Sequence, residues 1–255
     1  MDVVQVRELS PGELADVAGA VPFVRWGLGL GSVERAWAAA PAGPVAFERY
    51  RRAYGTSLTV VGDPDGAVRL AARLAPHMDV GSVTLPRSAV VPDDAAFGSR
   101  GIGWEWMWTD REPAPVPGED RVVELGADAV RGEIGAFLAE HSPRHSAEPD
   151  DELTRAWLGV RAGPSGDGGL LACVALYEAV PGVDLMASVA VAKAARGQGL
   201  GLAIAAAATR RMLRERPPVA TVDLYSDNGA ARALYRRLGY HLDQEFTSYP
   251  VRRVA

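Results

Sequence analysis

The string Arg196-Gly197-Gln198-Gly199-Leu200-Gly201 stands between an apolar run that ends at Val191 and a stretch with helical periodicity. A chain leaving a strand there must turn with little side-chain bulk and begin a helix whose first N–H groups have no intrahelical partners. Those donors, together with the helix macrodipole, attract an anion such as a pyrophosphate. Gly197, Gly199 and Gly201 let the backbone approach phosphate closely, and Arg196 adds a permanent positive charge at the same end. Leu200, Ile204, Ala208 and Met212 at i+4 spacing commit the helix, and Pro217-Pro218 ends it. A tight strand-to-helix connection has the same composition, so the turn alone does not separate a phosphate site from a plain connection.

A second block follows at Leu224-Tyr-Ser-Asp-Asn228-Gly-Ala-Ala231-Arg-Ala-Leu-Tyr235-Arg-Arg-Leu-Gly-Tyr240. Asn228, the sole asparagine of the chain, is a good N-cap. Ala231, Leu234, Tyr235 and Leu238 share one helical face, and Gly239 suits the C′ position. Tyr235 on that stripe also reads as a core tyrosine. Carboxylates that could take a proton stand at strand ends: Asp184, Glu178 and Asp223, with Ser226 nearby. Solvated strand ends look the same. His141 and His145 lie four apart across Pro143, where no helix runs, so the spacing reads as a polar loop rather than a metal or proton-transfer pair, and no metal site is expected.

The elements that must position these groups are legible from period and punctuation. Val122–Leu125 reads as a strand and Val130, Ile134, Phe137 and Leu138 as the buried stripe of a helix. The loop 141–150 leads to a short helix and a strand near Trp157–Arg161. The turn Gly163–Gly169 leads to strands at Leu170–Tyr177 and Leu185–Val191. Then come a helix from about Gly199 to Arg214, a strand at Val219–Tyr225, a helix at Asn228–Leu238 and a final strand at Tyr240–Val251. The order is β-α-α-β-β-β-α-β-α-β. Before it, three prolines and a glycine in Glu112–Glu119 mark a linker. The expected division is an N-terminal α/β domain over 1–112, a linker at 113–120 and a second domain over 121–255.

In the front part, Ser10 and Glu13 have capping-box spacing with Pro11 at the first helical position. Ser57–Val61 reads as a strand, and Ala67, Leu70, Ala71 and Leu74 as one helical face. Val83–Leu85 and Gly103–Thr109 read as strands. Trp104, Trp106 and Trp108 share a face of the latter, as packing or as a cleft wall. Trp26-Gly-Leu-Gly-Leu-Gly31 and Arg100-Gly-Ile-Gly103 read as turns, not nucleotide loops.

Val189-Ala190-Val191-Ala-Lys-Ala-Ala-Arg196-Gly-Gln-Gly-Leu-Gly201 resembles the signature of the GNAT acetyltransferase superfamily, in which Gln or Arg, two residues, Gly, one residue, and Gly or Ala follow a strand. Arg196, Gly199 and Gly201 fill the three defining positions. The block from Asn228 and Ala231 to Tyr240 is similar to the family's other segment. The resemblance covers about the last 130 residues. It implies a GNAT fold, a mixed central sheet flanked by helices, with a degenerate GNAT-like half in front that lacks a coenzyme loop. It also implies that 196–201 holds the pyrophosphate of acetyl-CoA (coenzyme A) while main chain around Val189, Ala190 and Val191 pairs with pantetheine. Tyr235 takes the position of the family's tyrosine acid, and a backbone N–H near Val191 that of the oxyanion donor. The activity implied is direct transfer of an acetyl or other acyl group to an amine, from a small molecule or a peptide. The alternative is an acyl-CoA-binding sensor or interaction protein without chemistry. Pairing of two subunits is compatible with the family.

Composition narrows the rest. The chain has 255 residues, 48% of them hydrophobic, and a net charge of −5 without a basic block, so nucleic acid is not an expected partner. No eighteen apolar residues run together and no basic-then-apolar leader opens the sequence, so neither a membrane span nor secretion is expected. A single cysteine, Cys173, excludes an internal disulfide, and the cytoplasm is the expected compartment.

Overall fold

The computed structural model describes residues 5–29, 33–39, 43–51, 55–93, 95, 97–98, 101–163, 166, 168–216 and 218–251. Leu30, Gly31, Arg100, Pro217 and residues 164, 165 and 167 of the glycine-rich turn lie outside the described residues. In chain order the front elements are β1 (Val6–Glu8), α1 (Pro11–Ala20), β2 (Val33–Ala39), β3 (Val45–Arg51), β4 (Gly55–Val61), α2 (Pro64–Leu74), β5 (Ser82–Pro86) and β6 (Ile102–Thr109). They are followed by β7 (Val123–Glu124), α3 (Ala127–Ala129), α4 (Gly135–His141), β8 (Thr154–Arg161), β9 (Leu170–Val180) and β10 (Val183–Val191). The last are α5 (Leu200–Glu215), β11 (Ala220–Tyr225), α6 (Gly229–Arg237) and β12 (His241–Pro250).

Two compact units result. The first holds Met1–Trp106, Tyr225–Asp227 and Leu242–Ala255; the second holds Met107–Leu224 and Asn228–His241. This division differs from the sequence expectation, because the C-terminal strand rejoins the first unit: Phe246–Pro250 of β12 pair antiparallel with Ser82–Pro86 of β5. The proline-rich stretch near 112–119 is also no free tether. Within the second unit Glu112 and Glu119 are ion-paired to Arg210 of α5, and Glu112 also to Arg214.

Taken separately, the units repeat one pattern. In the first, β1, β2, β3 and β4 run antiparallel in sequence, α2 crosses over, and β5 pairs parallel with β4. In the second, β7, β8, β9 and β10 run antiparallel, α5 crosses over, and β11 pairs parallel with β10. Each is a mixed sheet with helices, the α/β class expected. In the first unit Ala67, Leu70 and Ala71 of α2 are buried with Leu58, Val60, Val83 and Phe97. Phe23, Trp104 and Phe246 form an aromatic cluster there, Phe23 and Trp104 each about 5 Å from Phe246. Phe23–Leu28, through the front glycine string, is a single π-helical turn. In the second unit the expected stripe of α5 is buried at Leu200, Ile204, Ala208 and Met212, and alanines 203, 205 and 206 bring that helix close over the sheet. The opposite side is filled by Ile134, Phe137 and Leu138 with Trp157, Cys173, Ala175 and Leu185. Residues 142–153 contain no helix, contrary to the expected short one. Instead a π turn at Val130–Ile134 divides the preceding helical stretch into α3 and α4.

The crossover helices differ at their starts. Only Gly62 and Asp63 separate β4 from α2; Pro64 opens the helix, and the Asp63 carboxylate accepts the Gly66 N–H at 2.7 Å. The helix therefore carries its own anion at the end where a phosphate would bind. α1 is likewise closed by the expected capping box of Ser10 and Glu13. Asp63→Ala should cost about 1 kcal/mol of stability, read as a lower urea midpoint at unchanged slope. An unchanged midpoint would remove this cap from the account.

Candidate functional site

The second unit places its chemistry where β10 stops behaving as a regular strand. β10 pairs with β9, but the register shifts between Ala187 and Ala190. Ser188 stands at φ 52°, the one non-glycine residue with positive φ among those described. That conformation crowds an L side chain and needs support from its surroundings. On the other edge, the parallel register with β11 covers Leu185↔Thr221 and Met186↔Val222. Val189, Ala190 and Val191 lie beyond that paired segment, while Ala190 and Val191 keep register with Cys173 and Ala172 of β9. A parallel pair that parts in mid-strand presents backbone donors and acceptors along a slot, the geometry an extended amide-bearing ligand requires.

Residues 192–199 then connect β10 to α5. A 3₁₀ turn at Lys193–Ala195 leads to Arg196, and Gly197 and Gly199 adopt φ 79° and 81°. A Cβ at either glycine would meet no heavy atom within 4 Å, so the backbone conformation, not crowding, demands glycine. Gly199 is the N-cap of α5 and no side chain caps the helix. The first helix-closing bond runs from the Ala203 N–H to the Gly199 carbonyl at 3.0 Å, which leaves the preceding donors of Leu200, Gly201 and Leu202 outside the helical ladder. Leu200 is 5% exposed and offers only backbone. At Gly201 an added Cβ would sit 3.5 Å from Leu234 and 3.6 Å from Val191, ordinary contact that tolerates glycine or alanine. Arg196 stands at the expected end, but its guanidinium donates to the carbonyls of Val191 at 3.3 Å and His141 at 2.9 Å. Its first task is to fasten the loop. Gln198 is exposed, with its amide 3.5 Å from the Ala194 carbonyl.

α6 is built as its residues predict. Asn228 caps it by accepting the Ala231 N–H at 3.1 Å. At the other end, Tyr240 N–H bonds to the Tyr235 carbonyl and Gly239 N–H to the Arg236 carbonyl, with Gly239 at φ 87°. This is a Schellman closure, and its customary apolar contact is the Tyr235–Tyr240 pair, rings 5.6 Å apart. The Tyr240 hydroxyl lies 2.9 Å from the Thr209 hydroxyl of α5, so the motif also pins α6 to α5. Tyr235 is 4% exposed; burial, then the negative charge of Asp223, raise its phenol above the ordinary tyrosine value. Tyr235 is thus protonated throughout the neutral range.

The expected bases fare differently. Asp184 is fully buried, and Arg155 donates to both of its oxygens, Nε at 2.8 Å to one and Nη2 to the other. Arg216 lies 3.8 Å away. Glu178 accepts the Gly182 N–H at 2.7 Å and pairs with Arg216, which together lower its pKa. Both carboxylates serve an ion-pair network beside the C-terminal end of α5, and this geometry argues against either as a base. An aspartate in an otherwise apolar strand needs a buried partner, and that rule could have pointed to Arg155. Ser188 was equally overlooked; its signal is a small polar residue inside Leu185–Val191. The His145 ring nitrogens lie 2.9 Å from the Ser142 carbonyl and 3.0 Å from Glu148, in a loop as expected. Burial pushes the Cys173 thiol up to about 12, marking an inert core thiol.

Comparison with known proteins agrees with this geometry. The model described as the acetyltransferase (GNAT) domain matches residues 159–242, from β8 to the start of β12. No curated protein matches the chain. Among solved structures, a GCN5-related N-acetyltransferase from Sphaerobacter thermophilus is 19% identical, with a TM-score of 0.56 over 100% of this chain and 98% of that one. A GNAT-family acetyltransferase from Colwellia psychrerythraea is 12% identical, with a TM-score of 0.54 over 97% and 100%. A GCN5-related N-acetyltransferase from Kribbella flavida is 19% identical, with a TM-score of 0.51 over 96% and 98%. At these identities the likeness is one of fold.

Two measurements test the ion-pair assignment. Asp184→Ala, which leaves Arg155 only its Glu215 partner, should cost about 1.5–3 kcal/mol in urea unfolding; a loss below about 0.5 kcal/mol would restore Asp184 as a candidate for chemistry. Glu178 has a lowered folded pKa, so its stabilisation is present above the ordinary carboxyl value of 4.5 and is lost as pH falls through the folded value below it. Glu178→Gln should therefore flatten the acid limb of the stability profile, and an identical limb would contradict the pairing.

Proposed function

We propose, from the premise that residues 159–242 are an acetyltransferase (GNAT) domain, that this protein transfers an acetyl or related acyl group from acyl-CoA to a primary amine in a ternary complex. The observation that carries the reading is the junction of two features: the parallel register of β10 and β11 ending at Met186, and the α5 N-terminus left without a side-chain cap. The coenzyme pyrophosphate would take the donors that begin α5, with Gly197 and Gly199 as the close-approach positions and Asn228 and Ala231 at the start of α6 alongside. Pantetheine amides would pair with the backbone of Val189–Val191.

In this arrangement the amine nitrogen attacks the thioester carbon and a C–N bond forms. The carbonyl oxygen becomes an oxyanion, held by a backbone N–H of β10 near Val191. The C–S bond then breaks, giving an amide and a thiolate. Tyr235 faces that thiolate. An ordinary thiol has a pKa of about 8.5 and an ordinary phenol about 10, and Tyr235 is raised further. The phenol therefore donates a strong hydrogen bond to the leaving sulfur without giving up its proton completely. With Asp184 and Glu178 held by arginines, the acceptor reacts as the free amine, its proton passing to solvent.

Thiol release from acetyl-CoA, followed across a panel of primary amines, tests this reading. At least one amine should give turnover, Tyr235→Phe should lower kcat by roughly 10²-fold at similar KM, and kcat/KM should rise with pH as the acceptor deprotonates. Binding of acetyl-CoA without transfer to any amine would favour a sensor, and unchanged kcat in Tyr235→Phe would remove the phenol from the mechanism.

A further inference from the structure

Ser188 does more than occupy the irregularity in β10. Its hydroxyl accepts the N–H groups of Ala147 at 2.8 Å and Ser146 at 3.2 Å, and lies 3.2 Å from the Ala147 carbonyl, to which it donates. Those partners belong to the loop that follows α4. The side chain is 9% exposed, and Ala147 is fully buried among Ile134, Phe137, Leu138 and Ala187. Three hydrogen bonds in a place closed to water are a large reward for a residue otherwise held in a disfavoured backbone region. A second fastening supports the same segment where α4 ends: the His141 carbonyl takes its bond from Arg196 of the glycine loop. The loop is thus tied at one point to the strand irregularity and at another to the phosphate-binding turn.

We propose that Ser188 is a positioning residue that links the acyl-CoA slot to the 142–148 loop, so that coenzyme seated along β10 orders the loop that borders the acceptor. The inference rests on the acyl-transfer reading for the place of the thioester. The tie itself rests only on the geometry of Ser188. Of the two residues bonded to the irregular turn of β10, Ser146 is exposed and would border a ligand held there, while Ala147 anchors the loop in the core. The hydroxyl touches no reacting atom; it acts through the loop. Because coenzyme is held by backbone, loss of the hydroxyl should weaken the acceptor side far more than the coenzyme side.

Ser188→Gly removes the side chain with its three hydrogen bonds while avoiding backbone strain, since glycine accepts φ 52° freely. Amide hydrogen exchange would be followed at Ser146 and Ala147 in the whole protein, with and without acetyl-CoA, beside a calorimetric titration. In wild type, acetyl-CoA should slow these amides about tenfold or more. In Ser188→Gly they should exchange about tenfold faster without ligand and show no slowing with it, while acetyl-CoA affinity moves within about threefold and KM for an accepted amine rises more than kcat falls. Equal exchange in both proteins, or slowing by acetyl-CoA that persists in the variant, would overturn the link. Failure of wild type to bind acetyl-CoA would instead defeat the acyl-transfer reading, and the ligand-free exchange comparison would still decide the tie.

Discussion

A parallel ladder that stops after two registered pairs governs this molecule. Thr221 and Val222 of β11 meet Leu185 and Met186 of β10, and the register goes no further. The cause lies in β10, where Ser188 turns into the left-handed region and the register with β9 slips between Ala187 and Ala190. One extra residue in a strand bends it and re-aims the residues beyond the bend. Here it directs Val189–Val191 toward a connection of residues 192–199, at whose end α5 begins without a side-chain cap. The open stretch of β10 and the uncapped start of α5 stand on either side of the connection that follows this one local irregularity.

The first unit shows what the same architecture does when that irregularity is missing. It repeats the antiparallel run followed by a parallel crossover, yet β3 and β4 keep an uninterrupted register from Val45↔Val61 to Arg51↔Gly55. Its crossover helix starts after two residues, behind a proline, and is capped by Asp63. The unbroken β3–β4 register and the self-capped α2 satisfy these backbone groups within the unit, which favours stability. The second unit leaves these groups open and strengthens its frame elsewhere, through the Arg155–Asp184 pair and the Schellman closure that seats Tyr235 against Tyr240.

Much of this was legible in the sequence wherever a residue type has a single physical use. Gly197 and Gly199 occupy positive φ, Asn228 caps α6, Gly239 terminates it, and the α5 stripe is buried as its spacing requires. What escaped depends on long-range partners. Neither β1 nor the hairpin of β2 and β3 was foreseen, because Val33–Ala39 and Val45–Arg51 mix charged residues into short apolar runs. The return of β12 to β5 has no local signal at all. Asp184 and Glu178 read as strand-end carboxylates because the arginines that pair with them, Arg155 and Arg216, are distant in sequence. Ser188 carries its strain in a dihedral angle, which composition does not encode.

In the proposed reading, one phosphate-binding turn, at residues 196–201, serves the whole chain. Calorimetric titration of the 255-residue chain with acetyl-CoA decides this, with Gly199→Glu to place a carboxylate at the helix start and Gly199→Ala to share the backbone strain without the charge. Micromolar binding of a single acetyl-CoA per chain is expected, abolished by Gly199→Glu and retained, though weakened, by Gly199→Ala. No binding by folded wild type, a second site per chain, or full affinity in Gly199→Glu would contradict it.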